Sequence, residues 1–286
     1  MWQIEQELVL ALERDEFRLE YQPQVDLKTG GIVGFEALLR WRPADGPEVS
    51  PGEFVPLLES NGQISRVGAW IIDTACGHWR QWQEAGLLPP AARIAINVSA
   101  HQFANGDVGD LLQQSIERHA LAPASVEIEL TESAVMLNTS ETRKELRQIR
   151  ELGIGLSMDD FGTGYATLAY LRRFRFDTLK IDRSFIRRIC TKKKDLAIAL
   201  SMIQLAHTLG LRTVVEGIEK PEQLISLRRM GCDIGQGHFF AYPLPADIVP
   251  AFLRDWSRID GVPMLVSAMN VNLCRPVSAS RALDSI

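Results

Sequence analysis

Ser157-Met158-Asp159-Asp160-Phe161-Gly162-Thr163-Gly164-Tyr165 is the stretch around which the rest of the chain can be ordered. Ile154 to Met158 reads as a short buried strand, and Asp159-Asp160 places two carboxylates where that strand runs out. Adjacent side chains near a strand end diverge, so one acid can face a central site while the other faces its neighbour. Two close anions raise each other's pKa unless a cation sits between them, and a divalent metal keeps both charged. Phe161-Gly162-Thr163-Gly164 then supplies a glycine-hinged loop able to close over a ligand. Taken alone, the pair reads first as a strand-to-helix turn with Asp as an N-cap. The remainder of the chain decides against that simpler reading.

Upstream, Phe17 to Gln22 alternates apolar and polar residues and meets Pro23, which predicts a strand ending in a turn. Gly30-Gly31 makes the next turn, and Ile32 to Trp41 reads as a second strand, antiparallel to the first because the connection is so short. After Pro51 the texture is helical: Glu53 to Glu59, then Arg66 to Ala85 with Trp70, Ile71, Ala75 and Trp79 on one face and Gly86 as the stop. Strands are then expected at Arg93–Val98, Val126–Leu130, Ile154–Met158, Thr178–Ile181, Thr213–Val215 and Cys232–Gly235. Helices over Val108–His119, Ser140–Leu152, Asp195–Leu209, Pro221–Met230 and Ala246–Trp256 alternate with them. Repeated strand-helix units with mostly apolar strands indicate a parallel sheet covered by helices. Two strands at the start and six in the series suggest a closed α/β barrel of the TIM-type (β/α)8 class with an irregular, antiparallel beginning.

The predicted barrel covers residues 17–258, after an N-terminal amphipathic helix over residues 1–16 on which Ile4, Leu8 and Leu12 repeat at helical spacing. That helix packs on the body or ends a linker from an upstream domain. Residues 259–286 form a C-terminal extension with weak periodicity, loosely ordered toward its end. At 286 residues, 46% apolar and 23% charged, the chain describes a soluble globular protein with a sizeable core. The net charge of -5 gives no electrostatic footprint for long nucleic acid. No apolar run is long enough for a membrane helix, and the start lacks the pattern of a signal peptide. Cys76, Cys190, Cys232 and Cys274 have no paired spacing, which fits reduced thiols in a cytoplasmic protein.

In such a barrel the chemistry sits at the C-terminal ends of the strands. The exits here read Asn97-Val98-Ser99, Glu129-Leu130-Thr131-Glu132, Asp159-Asp160, Lys180-Ile181-Asp182, Glu216-Gly217-Ile218-Glu219 and Gln236-Gly237, with Glu36 inside the second strand. With 36 acidic residues in the chain, one such placement means little, but repetition at nearly every exit is a signal. Glu36, Asn97, Glu129, Asp159, Asp160 and Glu216 make an all-oxygen set that selects Mg²⁺ or Mn²⁺ over zinc. Five carboxylates exceed the needs of one ion, so two ions bridged by Asp159 is the economical arrangement. Paired metals about 3.5–4 Å apart are a recurring solution for phosphoester hydrolysis. Lys180 among these acids either orients water and stabilises negative charge or simply balances charge. Arg40 either forks onto a phosphate oxygen or bridges helices as a surface ion pair.

Other features carry less. Asp160-Phe161-Gly162 matches the kinase metal tripeptide, but no His-Arg-Asp loop or glycine-rich strand turn precedes it. The five histidines show no ligand spacing, and Lys192-Lys193-Lys194 reads as a solvated helix start.

From about Tyr21 to Pro245, in order, Glu36-Ala37-Leu38 with Arg40-Trp41, Asn97-Val98-Ser99, Glu129-Leu130-Thr131-Glu132, Asp159 to Tyr165, Lys180-Ile181-Asp182, Glu216 to Glu219 and Gln236-Gly237 resemble the EAL-domain cyclic di-GMP phosphodiesterases. The resemblance implies a modified TIM barrel and hydrolysis of cyclic di-GMP to linear pGpG with two Mg²⁺ or Mn²⁺ ions. It implies that Glu36, Asn97, Glu129 and Asp159 hold one ion and that Asp159, Asp160 and Glu216 hold the other. Lys180 would contact the attacking water, and Glu216 would be the general base. Glu132 would anchor the loop from Asp160 to Tyr165, while Leu38, Arg40, Asp182, Glu219 and Gln236 would surround the substrate. A homodimer and an upstream sensor domain outside this chain are further implications. Departures from the pattern are Ala166-Thr167 for two serines, His238 for a tyrosine and Tyr242 for a basic residue. None removes an expected ligand. The rival readings are a catalytically silent cyclic di-GMP receptor or protein-interaction module, common among relatives with a broken metal set, and an enolase-like Mg²⁺ lyase. The twin Asp and the surplus of acids argue against the lyase. Ca²⁺, with looser coordination, is expected to inhibit.

Overall fold

The structure, a computed structural model, describes residues 7–8, 10–44, 46–132, 134, 139–162, 171 and 174–256. The C-terminal extension, Cys274 and the loop positions Thr163 to Thr167 lie outside the described residues. Near the N-terminus Glu7, Leu8 and Leu10 are helical, and the chain turns over residues 11–15 before the first strand. Leu8 and Ala11 are buried in the core.

Strand β1 (Phe17–Asp26) runs antiparallel to β2 (Ile32–Trp41), and β2 begins a parallel series of β3 (Arg93–Val98), β4 (Val126–Thr131), β5 (Gly155–Phe161), β6 (Thr178–Ile181), β7 (Arg212–Val215) and β8 (Ile234–Gln236). Strand β8 pairs antiparallel with the far end of β1, through Gln24, Val25 and Asp26, so the sheet closes on itself. The short β9 (Leu244–Pro245), not foreseen in the sequence, pairs with β1 at Glu20 and Tyr21. The result is the expected modified TIM-type barrel with an antiparallel first strand.

Pro23 corrects one expectation: it does not end β1 but sits within it, opposite Phe35. It falls between the residues that pair with β9 and those that pair with β8, where β1 has a partner on one side only. A residue without an N–H is tolerated at such a place. The hairpin turn that follows is built by Asp26, whose Oδ1 accepts from the backbone N–H of Lys28 and Thr29 at 2.9 and 2.7 Å. Asp159 and Asp160 likewise lie within the last residues of β5 rather than beyond it, at an irregularity in its pairing with β6.

Helices α1 (Pro51–Ser60), α2 (Ile64–Glu84), α3 (Ala100–Asn105), α4 (Val108–Arg118), α5 (Ser140–Leu152), α6 (Arg183–Ile186), α7 (Lys193–Thr208), α8 (Pro221–Met230) and α9 (Val249–Trp256) surround the barrel. Their boundaries follow local chemistry. Thr139 caps α5 by accepting from the Thr142 N–H at 3.0 Å, and Gly153 ends it in the left-handed conformation. Ser99 and Gln102 form a capping box on α3.

The parallel strands alternate in character. Val126, Ile128 and Leu130 of β4, Leu156 and Met158 of β5, and Leu179 and Ile181 of β6 join the apolar layer under the helices. The residues between them are polar and point to the barrel interior: Glu127 and Glu129, Ser157 and Asp159, Thr178 and Lys180. At the lower end Glu127, buried, accepts from Arg93 at 2.8 Å and from Arg212 at 2.9 Å. The interior is thus a polar column rather than the layered aliphatic filling usual in such barrels.

Gly237, at the exit of β8, has no room for a side chain, because a Cβ there would meet the backbone oxygen of Ile218 at 2.2 Å and its nitrogen at 2.3 Å. Gly86 is also left-handed but has open space around the Cβ position. Gly86→Ala is therefore expected to cost about 1–2 kcal/mol of unfolding free energy, the strain of that conformation alone. Gly237→Ala is expected to cost clearly more, since backbone must move, and denaturant titration of the two variants measures the difference.

Candidate active site

The strand exits meet at one mouth of the barrel around Lys180, which is only 1% exposed. Its Nζ lies 2.6 Å from Glu129 Oε2 and 2.6 Å from Glu216 Oε1, with Asp159 Oδ1 at 3.3 Å and Glu36 Oε1 at 3.5 Å. Strand β6 therefore delivers one ammonium to carboxylates from β2, β4, β5 and the end of β7. Asn97 joins them by donating from Nδ2 to Glu36 Oε1 at 2.6 Å, and Gln236 donates from Nε2 to Glu36 Oε2 at 2.5 Å and to Gln22 Oε1 at 3.0 Å.

Charge in this cluster is unevenly shared. Burial disfavours an ionised Glu36, yet Lys180 and the amides of Gln236 and Asn97 hold its pKa below the usual value. For Glu129 burial and the neighbouring Glu36 outweigh Lys180, and its pKa is pushed well above normal. Glu216 is raised to about 7 by burial, against the pull of Lys180, with Glu36 and Asp159 adding to the rise. Lys180 itself loses to burial but gains more from Asp159, Glu129, Glu216 and Glu36, so it stays charged. Four acids surround one cation, and the neighbouring carboxylates add to the rise that burial causes at Glu129 and Glu216.

Asp160 has a left-handed backbone, with φ of 55°. Its N–H donates to Asp159 Oδ1 at 2.9 Å, and burial together with Asp159 and Asp182 raises its pKa. Asp182 caps α6 by accepting from the Ser184 N–H at 2.9 Å. A cavity of about 250 Å³ opens over Glu36, Asp159 and Glu216, and Leu38, Glu219 and Gln236 line it. Arg40 does not line it: its Nε donates to Glu20 Oε2 at 2.9 Å, an ion pair between β2 and β1 and not the helix-bridging surface pair expected as the alternative. Glu132 is buried, and neither carboxylate oxygen has a hydrogen-bond partner among the described residues.

The expected site set omitted Gln22, Arg183 and His238, which also line the cavity, His238 having entered the sequence reading only as a departure from the family pattern. Arg183 follows the β6 exit and His238 the β8 exit, so extending each exit motif by one residue would have found both. Gln22 becomes visible only through register, since it stands opposite Glu36 across the β1–β2 hairpin.

The donor set suits hard divalent cations, being carboxylates and one amide. Glu129 Oε1 is buried without a partner, a further sign that this set is built to hold more than Lys180. Among the described residues no three such side chains stand as a ready metal cage, since each acid leans on the ammonium.

A family model for the EAL domain matches residues 5–243. The chain belongs to the EAL domain family. This EAL domain is 41% identical over 265 residues to "Cyclic di-GMP phosphodiesterase NbdA" of Pseudomonas aeruginosa, covering 93% of the chain and 34% of that protein. It is 40% identical over 245 residues to "Bifunctional diguanylate cyclase/cyclic di-GMP phosphodiesterase MucR" of the same organism, covering 86% of the chain and 36% of that protein. The chain spans about a third of the length of these curated relatives. Among solved structures, the PaMucR phosphodiesterase in its c-di-GMP complex superposes with a TM-score of 0.82 at 39% identity, covering 86% of this EAL domain and 99% of that chain. The EAL enzyme Bd1971 in its cAMP- and cyclic-di-GMP-bound form gives 0.84 at 34% identity, covering 88% and 68%. No helix among the described residues is long and apolar enough to cross a membrane.

The raised pKa of Glu216 has a consequence for the metal-free chain. Its folded value, about 7, lies above the ordinary value of 4.5, so the folded state holds its proton longer than the unfolded state as pH rises. Stability should therefore fall across that window. Glu216→Gln removes the effect, and its stability relative to the parent is expected to improve between pH 4.5 and 7, by on the order of 2–3 kcal/mol, and to level off above. Denaturant titrations with a chelator present check this.

Proposed function

We propose that this chain hydrolyses one phosphodiester bond of cyclic di-GMP to give linear pGpG, using two Mg²⁺ or Mn²⁺ ions. The observation that carries the reading is the convergence of Glu36, Glu129, Asp159 and Glu216 on Lys180 at the floor of a cavity. The substrate follows from family membership and from relatives named as cyclic di-GMP phosphodiesterases.

Glu36, Asn97, Glu129 and Asp159 would hold one ion, and Asp159, Asp160 and Glu216 the other. Bound there, such ions supply Lewis-acid activation of water and neutralise charge on the phosphate. Lys180 donates a hydrogen bond that orients the attacking water and offsets the negative charge gathering on the phosphoryl oxygens. Glu216 accepts the proton as the water oxygen forms its bond to phosphorus. The bond from phosphorus to the 3′ oxygen breaks, that oxygen takes up a proton, and the opened product keeps a 5′ phosphate. Leu38, Glu219 and Gln236 line the cavity that would receive the dinucleotide.

The direct test is incubation with cyclic di-GMP and Mg²⁺ or Mn²⁺ followed by chromatography for pGpG. Binding without product would overturn the catalytic reading in favour of a receptor. Glu36→Ala and Asp159→Ala are expected to abolish turnover with loss of metal binding. Lys180→Ala is expected to lower kcat by about 10²–10³-fold while Mn²⁺ binding, followed by calorimetry, persists. Replacing Mg²⁺ with Ca²⁺ should inhibit, because its looser coordination misplaces the water, and equal rates would contradict the assignment.

A further inference from the structure

On the outside of the barrel, away from the catalytic mouth, α5 and the chain entering β6 enclose a groove of about 550 Å³. Its walls carry four guanidinium groups, Arg143, Arg147 and Arg150 on α5 and Arg175 before β6, over a floor of Leu146, Leu156 and Phe174. The three helical arginines are spaced four and three residues apart and so stack on one face. Like charges at that spacing destabilise a helix by about 0.2–0.5 kcal/mol per pair.

Neighbouring acids offset this only in part. Arg150 is committed to Asp177 at 2.5 Å, and Asp177 is itself fixed by accepting from the Leu156 N–H at 2.9 Å. Proximity to the C-terminus of α5 also favours Arg150. Arg143 donates from Nε to the Thr139 carbonyl at 3.2 Å and forms no ion pair within bonding distance among the described residues, though Glu141 lies close enough to feel its charge. Arg147 and Arg175 form no ion pair among the described residues, and Glu151, although four residues after Arg147, is not within bonding distance of it. The groove thus joins a surplus of planar, fork-shaped cation donors to an apolar and aromatic floor.

We propose that this groove is a second ligand site, separate from the catalytic cavity, for a small molecule that carries a pyrophosphate group on a flat apolar body, in the manner of a nucleoside diphosphate. Guanidinium groups match phosphate oxygens with paired hydrogen bonds. Leu146 and Leu156 are buried beneath the groove, and the partly exposed Phe174 is the lining ring beside which a flat base would lie. The volume falls within the range of small-molecule sites.

The test is isothermal titration of the full chain with guanosine diphosphate, and separately with inorganic pyrophosphate, in metal-free buffer at low salt. Saturable binding is expected for both, tighter for the nucleotide, and weakening as salt rises. The double substitution Arg147→Gln and Arg175→Gln should weaken it at least tenfold without changing the unfolding temperature by more than a few degrees. Excess cyclic di-GMP should not displace the ligand. The proposal is overturned by absence of saturable binding, by binding that the double variant leaves unchanged, by displacement with cyclic di-GMP, or by binding to vesicles of anionic phospholipid with none to either soluble phosphate.

Discussion

A buried ammonium sets the terms for this fold. Removing a charge from water costs several kcal/mol, and only close pairing with good hydrogen bonds recovers it. Lys180 meets that condition through Glu129, Glu216, Asp159 and Glu36, which arrive on four different segments of the barrel. Each of those segments must hold its register for the cluster to close. The antiparallel hairpin of β1 and β2 takes part as well, because Gln22 and Glu36 stand opposite each other and share Gln236. A second ionic knot, Glu127 between Arg93 and Arg212, does the same at the lower end.

The cluster is deliberately unbalanced. One cation faces four carboxylates, and burial together with this excess raises the pKa values of Glu129 and Glu216. Such an excess is unfavourable in a metal-free protein and becomes useful when divalent cations arrive, because the acids can then ionise fully. Asp160 has a left-handed backbone, and under the proposed hydrolysis it would contribute to the second ion. The proposed hydrolysis would use these same carboxylates to hold two ions.

Much of this was legible in the amino-acid order, for a physical reason. Strand exits collect their polar residues locally, so motifs such as Lys180-Ile181-Asp182 and Glu216 to Glu219 identify themselves without knowledge of the fold. The helix ends expected at Leu152 and Met230 hold because Gly153 and Gly231 follow them in the left-handed conformation that glycine adopts readily. What could not be read depends on partners distant in sequence. The pairing of Arg40 with Glu20 across the hairpin, for example, follows from strand register and not from any local pattern. Pro23 looks like a strand end because the gap between β9 and β8 that accommodates it exists only in the closed sheet. The polar column below Lys180 draws Arg93, Glu127 and Arg212 from three strands, and no local pattern links them.

The central claim is that these acids grip a pair of divalent cations beside Lys180. Anomalous diffraction from crystals grown with Mn²⁺ and cyclic di-GMP tests it most directly. The account expects two manganese peaks within about 4 Å of each other, between Glu36, Asn97, Glu129, Asp159, Asp160 and Glu216. A single peak outside that set, or none with the dinucleotide bound, would contradict it.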